Sequence, residues 1–303
     1  MTTNEPIHEE TTTNNEPWLN DMRRQFWYPF LDMLPEESQF DIEISGKFLL
    51  LHAILEKCTE IGDKVIVFSR SIYTLNHIEA FLHSIHQWTR DKDYFRMDGQ
   101  TDVTSRKRYA KWFNDLSNTR ARLFLISTLA GGIGINLVGG NRVIIFDASW
   151  NPSHDTQAIF RSYRFGQKKP VYIYRFLAHG TMEEKIYQRQ VVKQSLSQRV
   201  IDDHQLDRHF TQNDIKELYK FQLEQLPDAQ TTLTPLNFGY PIPKDHLLLD
   251  ILYEHNRWIH SYHSHDSLLE NKIDESLTAE ERQRGLRFHF LHSFLKTHIF
   301  QFE

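Results

Sequence analysis

Cysteine is nearly absent. Cys58 is the only one in 303 residues, so no intrachain disulfide can form, which fits a reducing compartment. Long apolar runs are missing as well. No stretch approaches the ~18 residues that a membrane-spanning helix requires. The opening MTTNEPIHEETTTNNEP lacks the apolar core of a secretory signal, and no membrane partner is expected. Nor is there an excess of positive charge. Lys and Arg number 35 against 40 Asp and Glu, a formal net charge of −5. Any grip on a polyanion must therefore come from local patches on an acidic background. No repeat of fixed period is found. What is present is a foldable composition. Forty per cent hydrophobic and 13% aromatic residues supply a core, and the length fits roughly two domains. Seventeen histidines make the charge balance sensitive to pH near the ordinary histidine value.

The order of elements is legible from periodicity. Residues 1–17 are polar and read as a disordered tail, and residues 18–44 mix aromatics with Pro29 and Pro35 as a lead-in. GKFLLLHAILEKCTE then predicts a helix with Ser45 as N-cap. Short β-branched runs follow at Val65–Ser69, Tyr94–Asp98, Leu123–Ser127, Val143–Phe146 and Val171–Leu177. Helical patterns alternate with them at Ile72–Trp88, Thr101–Asn114, Asp155–Tyr163 and Met182–Arg199. Continuous apolar strands separated by helices predict an α/β doubly wound parallel sheet over residues 45–200. Beyond residue 200 the pattern predicts a mainly helical C-terminal extension. It has helices at Phe210–Phe221, His246–His265 and Leu277–Lys296 and a linker near 226–245.

In an open parallel sheet, ligands sit beyond the carboxyl ends of the strands. Two segments there carry candidate chemistry. The loop STLAGGIGINLVGG, residues 127–140, follows a strand, and its glycines permit close approach to a phosphate. A tight turn explains the glycines equally well. A dinucleotide fingerprint is a poor fit, because Leu137 stands where the third glycine belongs and Asp147 comes too early. The second segment is Gln157-x-x-x-Arg161-x-x-Arg164-x-Gly166-Gln167. Arginines three apart share a helix face. Planar guanidinium forks suit phosphate oxygens, whereas a solvated basic face is the plain alternative.

The pieces SGKFLLL, VIVFSR, FRMDGQT, STLAGGIGINL, FDASWNP and QAIFRSYRFGQ occur in order over about 120 residues. In that order they resemble the second RecA-like lobe of the helicase superfamily that contains the Swi/Snf-type remodelling ATPases. The likeness continues through NDIKELYKF, IHSYHSHDSLLENK and LTAEER. It implies that Arg161 and Arg164 are arginine fingers reaching ATP, with Gln157, Gly132 and Gly134 at the nucleotide. It also implies that Ser69, Thr128 and Trp150 contact DNA. ATP with Mg²⁺, double-stranded DNA, nucleosomes, a first RecA-like lobe and protein partners of the extension are implied in the same way, as is a nuclear location. Two positions depart from the family pattern: Leu129 stands where a lysine is usual, and Gln100 where a hydroxyl residue is usual.

The phosphate cradle G-x-x-x-x-G-K-[ST] occurs nowhere in the 303 residues. Phe48 follows Gly46-Lys47, and Ala148 rather than Glu follows Asp147. ATP hydrolysis needs a cradle and a Mg²⁺ ligand, so the sequence predicts half of an active site. The alternative is a catalytically incomplete module that binds DNA or a partner. A nicotinamide dehydrogenase leaves the two arginines without a use. Arg106-Lys107-Arg108 with Lys111, and Lys168-Lys169, are basic clusters able to neutralise phosphates or merely to be solvated. His260, His263 and His265 imitate metal spacing, but no acid or thiol completes a site, and none is expected. Cys58 is expected in the core.

Overall fold

The computed structural model describes residues 42–130, 134–199, 243, 245–264 and 295–302. The chain divides into two units, Met1–Ile44 and Ser45–Glu303. The described part of the first is a single 3-10 turn, Ile42–Ile44. The expected tail and most of the lead-in, the helix at Phe210–Phe221 and nearly all of the linker lie outside the described residues.

The second unit begins with α1 (Gly46–Ile61) and β1 (Val65–Ser69), then α2 (Ile72–His86) and β2 (Tyr94–Met97). It continues through α3 (Val103–Asn114), β3 (Leu123–Ser127), β4 (Arg142–Ile145), α4 (Pro152–Ser162), β5 (Val171–Ala178) and α5 (Met182–Arg199). The strands lie in the order β2-β3-β1-β4-β5, all parallel. This is the predicted doubly wound sheet. Every residue of β1 to β4 is buried, as continuous apolar runs require when helices cover both faces.

Alternate residues build the two faces. Ile66, Phe68, Phe95, Phe124, Ile126, Val143 and Ile145 join Tyr109 and Phe113 of α3 and Ala158 and Ile159 of α4 in one cluster. The opposite face receives α1 and α2, where Phe48 meets Phe81 and Phe146 edge to face. Side-chain caps set two helix starts away from the sequence reading. Asp102 accepts from Ser105 N, so α3 begins at Val103 rather than Thr101. Asn151 accepts from Ser153 N with Pro152 in the first turn, so α4 begins before Asp155. Ser45 stands at its N-cap without a side-chain cap bond. A Cβ on Gly139 would lie 2.5 Å from the Phe113 carbonyl. Only glycine lets the β3–β4 connection pass so close to the end of α3.

The C-terminal part departs from its expected helices. Helix α6 stops at Glu254 (His246–Glu254), and a 3-10 turn at Asn256–Trp258 leads into β6 (Ile259–Ser264). Strand β7 (Leu295–Phe302) runs parallel to β5 and antiparallel to β6, extending the sheet to seven strands. The amphipathic pattern of His246–His265 predicts one long helix. Pairing of β6 with a strand more than 30 residues away overrides that local pattern. Of the expected helix at Leu277–Lys296, only Leu295 and Lys296 are described, and both are in β7.

Helix α6 is anchored by charge. Arg142, at the amino end of β4, donates to Asp63 at 2.9 Å and to Asp245 at 2.6 Å. Its guanidinium also bonds the Tyr174 hydroxyl and lies 4.0 Å from the Tyr172 ring centre. Tyr174 donates to Asp245 at 2.6 Å, and Lys169 reaches Asp63 at 2.7 Å. Asp245 is the N-cap of α6 but makes no side-chain cap bond, because its carboxylate is engaged with Arg142 and Tyr174. On α6 itself, Lys57 of α1 pairs with Glu254 at 2.9 Å.

Candidate functional site

The chain leaves β1 toward one face and β4 toward the other, so the strand order changes direction between them. This is where a doubly wound sheet opens a crevice. The carboxyl ends of these two strands are joined by one carboxylate. Asp147 accepts from the Ser69 hydroxyl at 2.5 Å and from the Arg70 backbone N–H at 2.8 Å. Burial pushes the Asp147 carboxyl up, against the pull of those two bonds and of Lys47. Thr128 N donates to the Ser69 carbonyl at 2.9 Å, tying the end of β3 to the same point.

Behind this junction lies a second brace. Lys47 of α1 donates to the Phe146 carbonyl at 2.8 Å and to both oxygens of Glu183, at 2.7 and 2.6 Å. Glu183 also accepts from Ala148 N and Ala178 N. The lysine of SGKF thus fastens α1 to the ends of β4 and β5 and to the start of α5. The loop 147–151 is pinned from beneath by buried Asp155. That carboxylate accepts from Arg175 at 3.2 Å, Gln190 at 2.9 Å and Ser149 N at 3.3 Å. Above these braces Trp150 stands 39% exposed.

Helix α4 carries the arginines. Arg161 is buried at the end of α4, and Arg164 is exposed just beyond it. Arg164 Nη1 points to the Gly134 carbonyl at 3.5 Å, and a Cβ on Gly134 would lie 3.9 Å from Arg161 Nη1. Both arginines and Gly134 therefore converge on one spot beside the β3 loop. Burial, and then the charge of Arg164, lower the Arg161 pKa. The following turn is fixed by Gln167, whose side chain donates to the Gly140 carbonyl at 3.0 Å, and by Gly166 at φ +102°. Phe165 is fully exposed at its tip.

Ser69 is fully buried with its hydroxyl on Asp147, and Thr128 is buried as well. The Ser69 hydroxyl is engaged within the fold, tying the end of β1 to that of β4. The exposed residues of this edge are Arg70, Leu129, Gly134 and Trp150. Gln157 is exposed on α4, one turn before Arg161. Gly132 lies outside the described residues. Lys47, Glu183, Asp155 and Gln190 escaped the sequence reading. In the sequence Lys47 stands only in a failed phosphate loop, and Asp147 only in a failed acidic box and a failed dinucleotide fingerprint. The available signal was a lone acid ending an apolar strand, facing a lone hydroxyl ending another. Of the basic cluster, Arg106 is buried and donates to the Thr101 and Asp98 carbonyls. Cys58 is buried, and burial pushes its thiol up to about 12. Among the described residues no group of three His, Cys, Asp or Glu converges on a metal-sized site, and His265 lies outside them.

Comparison with known proteins shows the family. Residues 46–166 match the helicase conserved C-terminal domain. "Transcriptional regulator ATRX" of Mus musculus is 51% identical over 274 residues, covering 85% of this chain and 11% of that protein. "Transcriptional regulator ATRX homolog" of Drosophila melanogaster is 48% identical over 82% of this chain and 19% of its own length. "Helicase ARIP4" of Homo sapiens is 41% identical over 83% of this chain and 18% of its own length. The chain thus spans only about a tenth to a fifth of these relatives. A solved structure, "Crystal structure of the C-terminal part of Fun30 ATPase domain", aligns at 34% identity and a TM-score of 0.45, over 56% of this chain and 53% of that one. The domain match takes in the strand-end loops and the arginine segment, and the identity runs through most of the remainder. The chain belongs to the ATRX-like group of Swi/Snf-type ATPases and carries their RecA-like helicase C-terminal domain.

Proposed function

We propose that this chain is the second lobe of a DNA-stimulated ATPase motor that translocates on double-stranded DNA in chromatin. The observation that carries the reading is the convergence of Arg161 and Arg164 beside Gly134. Burial and then the charge of Arg164 lower the Arg161 pKa, and both guanidiniums lie beside Gly134. Two like charges held together favour a dense anion between them, and a transferring γ-phosphoryl group is such an anion. In this reading Arg161 and Arg164 act as arginine fingers, and Gln157 and Gly134, with Gly132, border the nucleotide. The guanidinium pair fits phosphate oxygens. The phosphate cradle and the Mg²⁺ ligands belong to a first RecA-like lobe supplied by another segment of polypeptide.

The DNA contact falls to the exposed rim of the same edge. Arg70 and Trp150 stand beyond the braces formed by Asp147, Glu183 and Asp155, and contacts there are to backbone, with little sequence preference. Closure of two lobes on ATP and reopening after hydrolysis would shift this grip stepwise along a strand. Nucleosomes as substrate, a nuclear location and protein partners of the C-terminal extension follow from the ATRX-like relatives.

The test is DNA-stimulated ATP hydrolysis by this chain alone and joined to a matching first lobe. The joined protein is expected to turn over ATP, the chain alone to be inactive, and Arg164→Ala in the joined protein to lose about 10³-fold or more in rate. If the joined protein stays inactive while the chain alone binds duplex DNA, the chain is a DNA-binding module.

A further inference from the structure

The chain as a whole is acidic, but its charge is unevenly placed. Residues 88–122 hold nine Lys or Arg against five Asp, in a chain with a formal net charge of −5. They form the β2 edge of the sheet together with α3. Most carboxylates of this edge are already engaged. Arg96 binds Glu79 and Asp98, and Arg120 binds Asp93 at 2.6 Å. Asp102 caps α3, and Asp115 accepts from Ser117 at 2.9 Å. Lys107, Arg108 and Lys111 are exposed on α3 and form no ion pair among the described residues. Asp115 feels the charge of Lys64 and then that of Lys111 without pairing with the latter.

Arg108 is set in place in advance. Its guanidinium lies 5.4 Å from the ring centres of both Tyr109 and Trp112, and it donates to the Ser105 hydroxyl at 3.3 Å. Trp112 is 43% exposed beneath it. A guanidinium laid on aromatic rings loses less rotamer freedom when it binds, and it keeps its planar fork of donors toward an incoming anion. Lys107 and Lys111 are one turn apart on the same helix face, so three cations form a short row. Strand β3 stands between β2 and β1 in the sheet, which separates this row from the strand-end rim of β1 and β4.

We propose that the exposed face of α3, through Lys107, Arg108 and Lys111 with Trp112 as the platform for Arg108, is a second nucleic-acid contact. It grips the phosphodiester backbone independently of the strand-end site and of ATP. The charge segregation and the preset fork match a polyanion with regularly spaced phosphates better than an acidic protein segment, whose carboxylates have no fixed spacing.

The test is binding of a short duplex to the 303-residue chain across a salt series, followed by fluorescence anisotropy. The expected result for K107Q/R108Q/K111Q is a salt slope shallower by about 3 and a roughly tenfold or greater loss of affinity at low salt. The melting temperature should stay unchanged. Trp150→Ala should weaken binding while leaving the α3 share of the slope in place, so failure of the strand-end reading is distinguishable from failure of this one. If the triple variant does not fold, the exposed single change K107Q carries the test, with an expected slope change of about 1. A wild-type slope in a folded variant would overturn the proposal. So would capture of poly-glutamate by the wild type, lost in the triple variant, with DNA binding unaltered, because that result would assign the face to an acidic protein partner.

Discussion

Two buried arginines of the same fold are treated in opposite ways. Arg142, at the amino end of β4, is enclosed by Asp63, Asp245 and the Tyr174 hydroxyl. Burial opposes its charge, but these neighbours outweigh burial and hold the guanidinium charged well above the ordinary arginine range. Arg161, in the last turn of α4, is also buried; burial and then the charge of a second cation, Arg164, lower its pKa. The first arrangement is electrically closed and gives the C-terminal helix a fixed seat. The second is electrically open, and it relaxes when an anion arrives. An arginine in a fold of this kind is therefore read by its neighbours and not by its burial.

The largest effect expected from this contrast is at the closed end. Arg142→Met removes one charge and leaves Asp245 and part of Asp63 buried without it. The cost is about 3–5 kcal/mol, the usual penalty for breaking a buried pair from one side, measured as a drop in the urea midpoint. Amide exchange should show α6 opening first. An unchanged midpoint would mean that the network does not anchor the helix.

The intermediate effect concerns the strand-end clamp. Ser69→Ala deletes the hydroxyl that donates to Asp147 and is expected to cost about 1–3 kcal/mol, since a buried carboxylate loses a donor. DNA affinity per folded molecule should not move. A loss of DNA affinity at unchanged stability would place Ser69 at the DNA surface.

The sequence carried the sheet and the site to different depths. Runs such as VIVFS and LFLIS are buried along their whole length. No other local structure suits them so well between helices, so the strand count and the carboxyl edge were legible. The arginine pair was legible because Arg161 and Arg164 are close in sequence. The clamp of Ser69 with Asp147, 78 positions apart, and the brace of Lys47 with Glu183, 136 apart, depend on which strands become neighbours, and local pattern does not encode that. The same holds for β6. Its residues fit a helical stripe, and only pairing with Leu295–Phe302 makes them a strand.

A smaller effect is expected from acid. Burial lowers the pKa values of His86, His255 and His263. Such a histidine binds its proton more readily when unfolded. Between its folded value and the ordinary value near 6.5, the unfolded chain therefore holds more protons, and stability falls as pH falls. Above that window the contribution is fully present. The melting temperature should be lower at about pH 5.5 than at about pH 7.5. His255 and His263 flank β6 and lie within it, so acid should loosen the closed, C-terminal side before the strand-end rim. Amide exchange at the two pH values checks the order.

The most direct test of the contrast uses the 303-residue chain alone. Two arginines set side by side should be stabilised by a dense anion. Tripolyphosphate near a hundred times its dissociation constant is expected to raise the melting temperature by about 2–6 °C, and Arg164→Ala should remove most of that rise without lowering the melting temperature in plain buffer. A rise that survives Arg164→Ala, or none in the wild type, would contradict the claim that Arg161 and Arg164 are held together to receive phosphate.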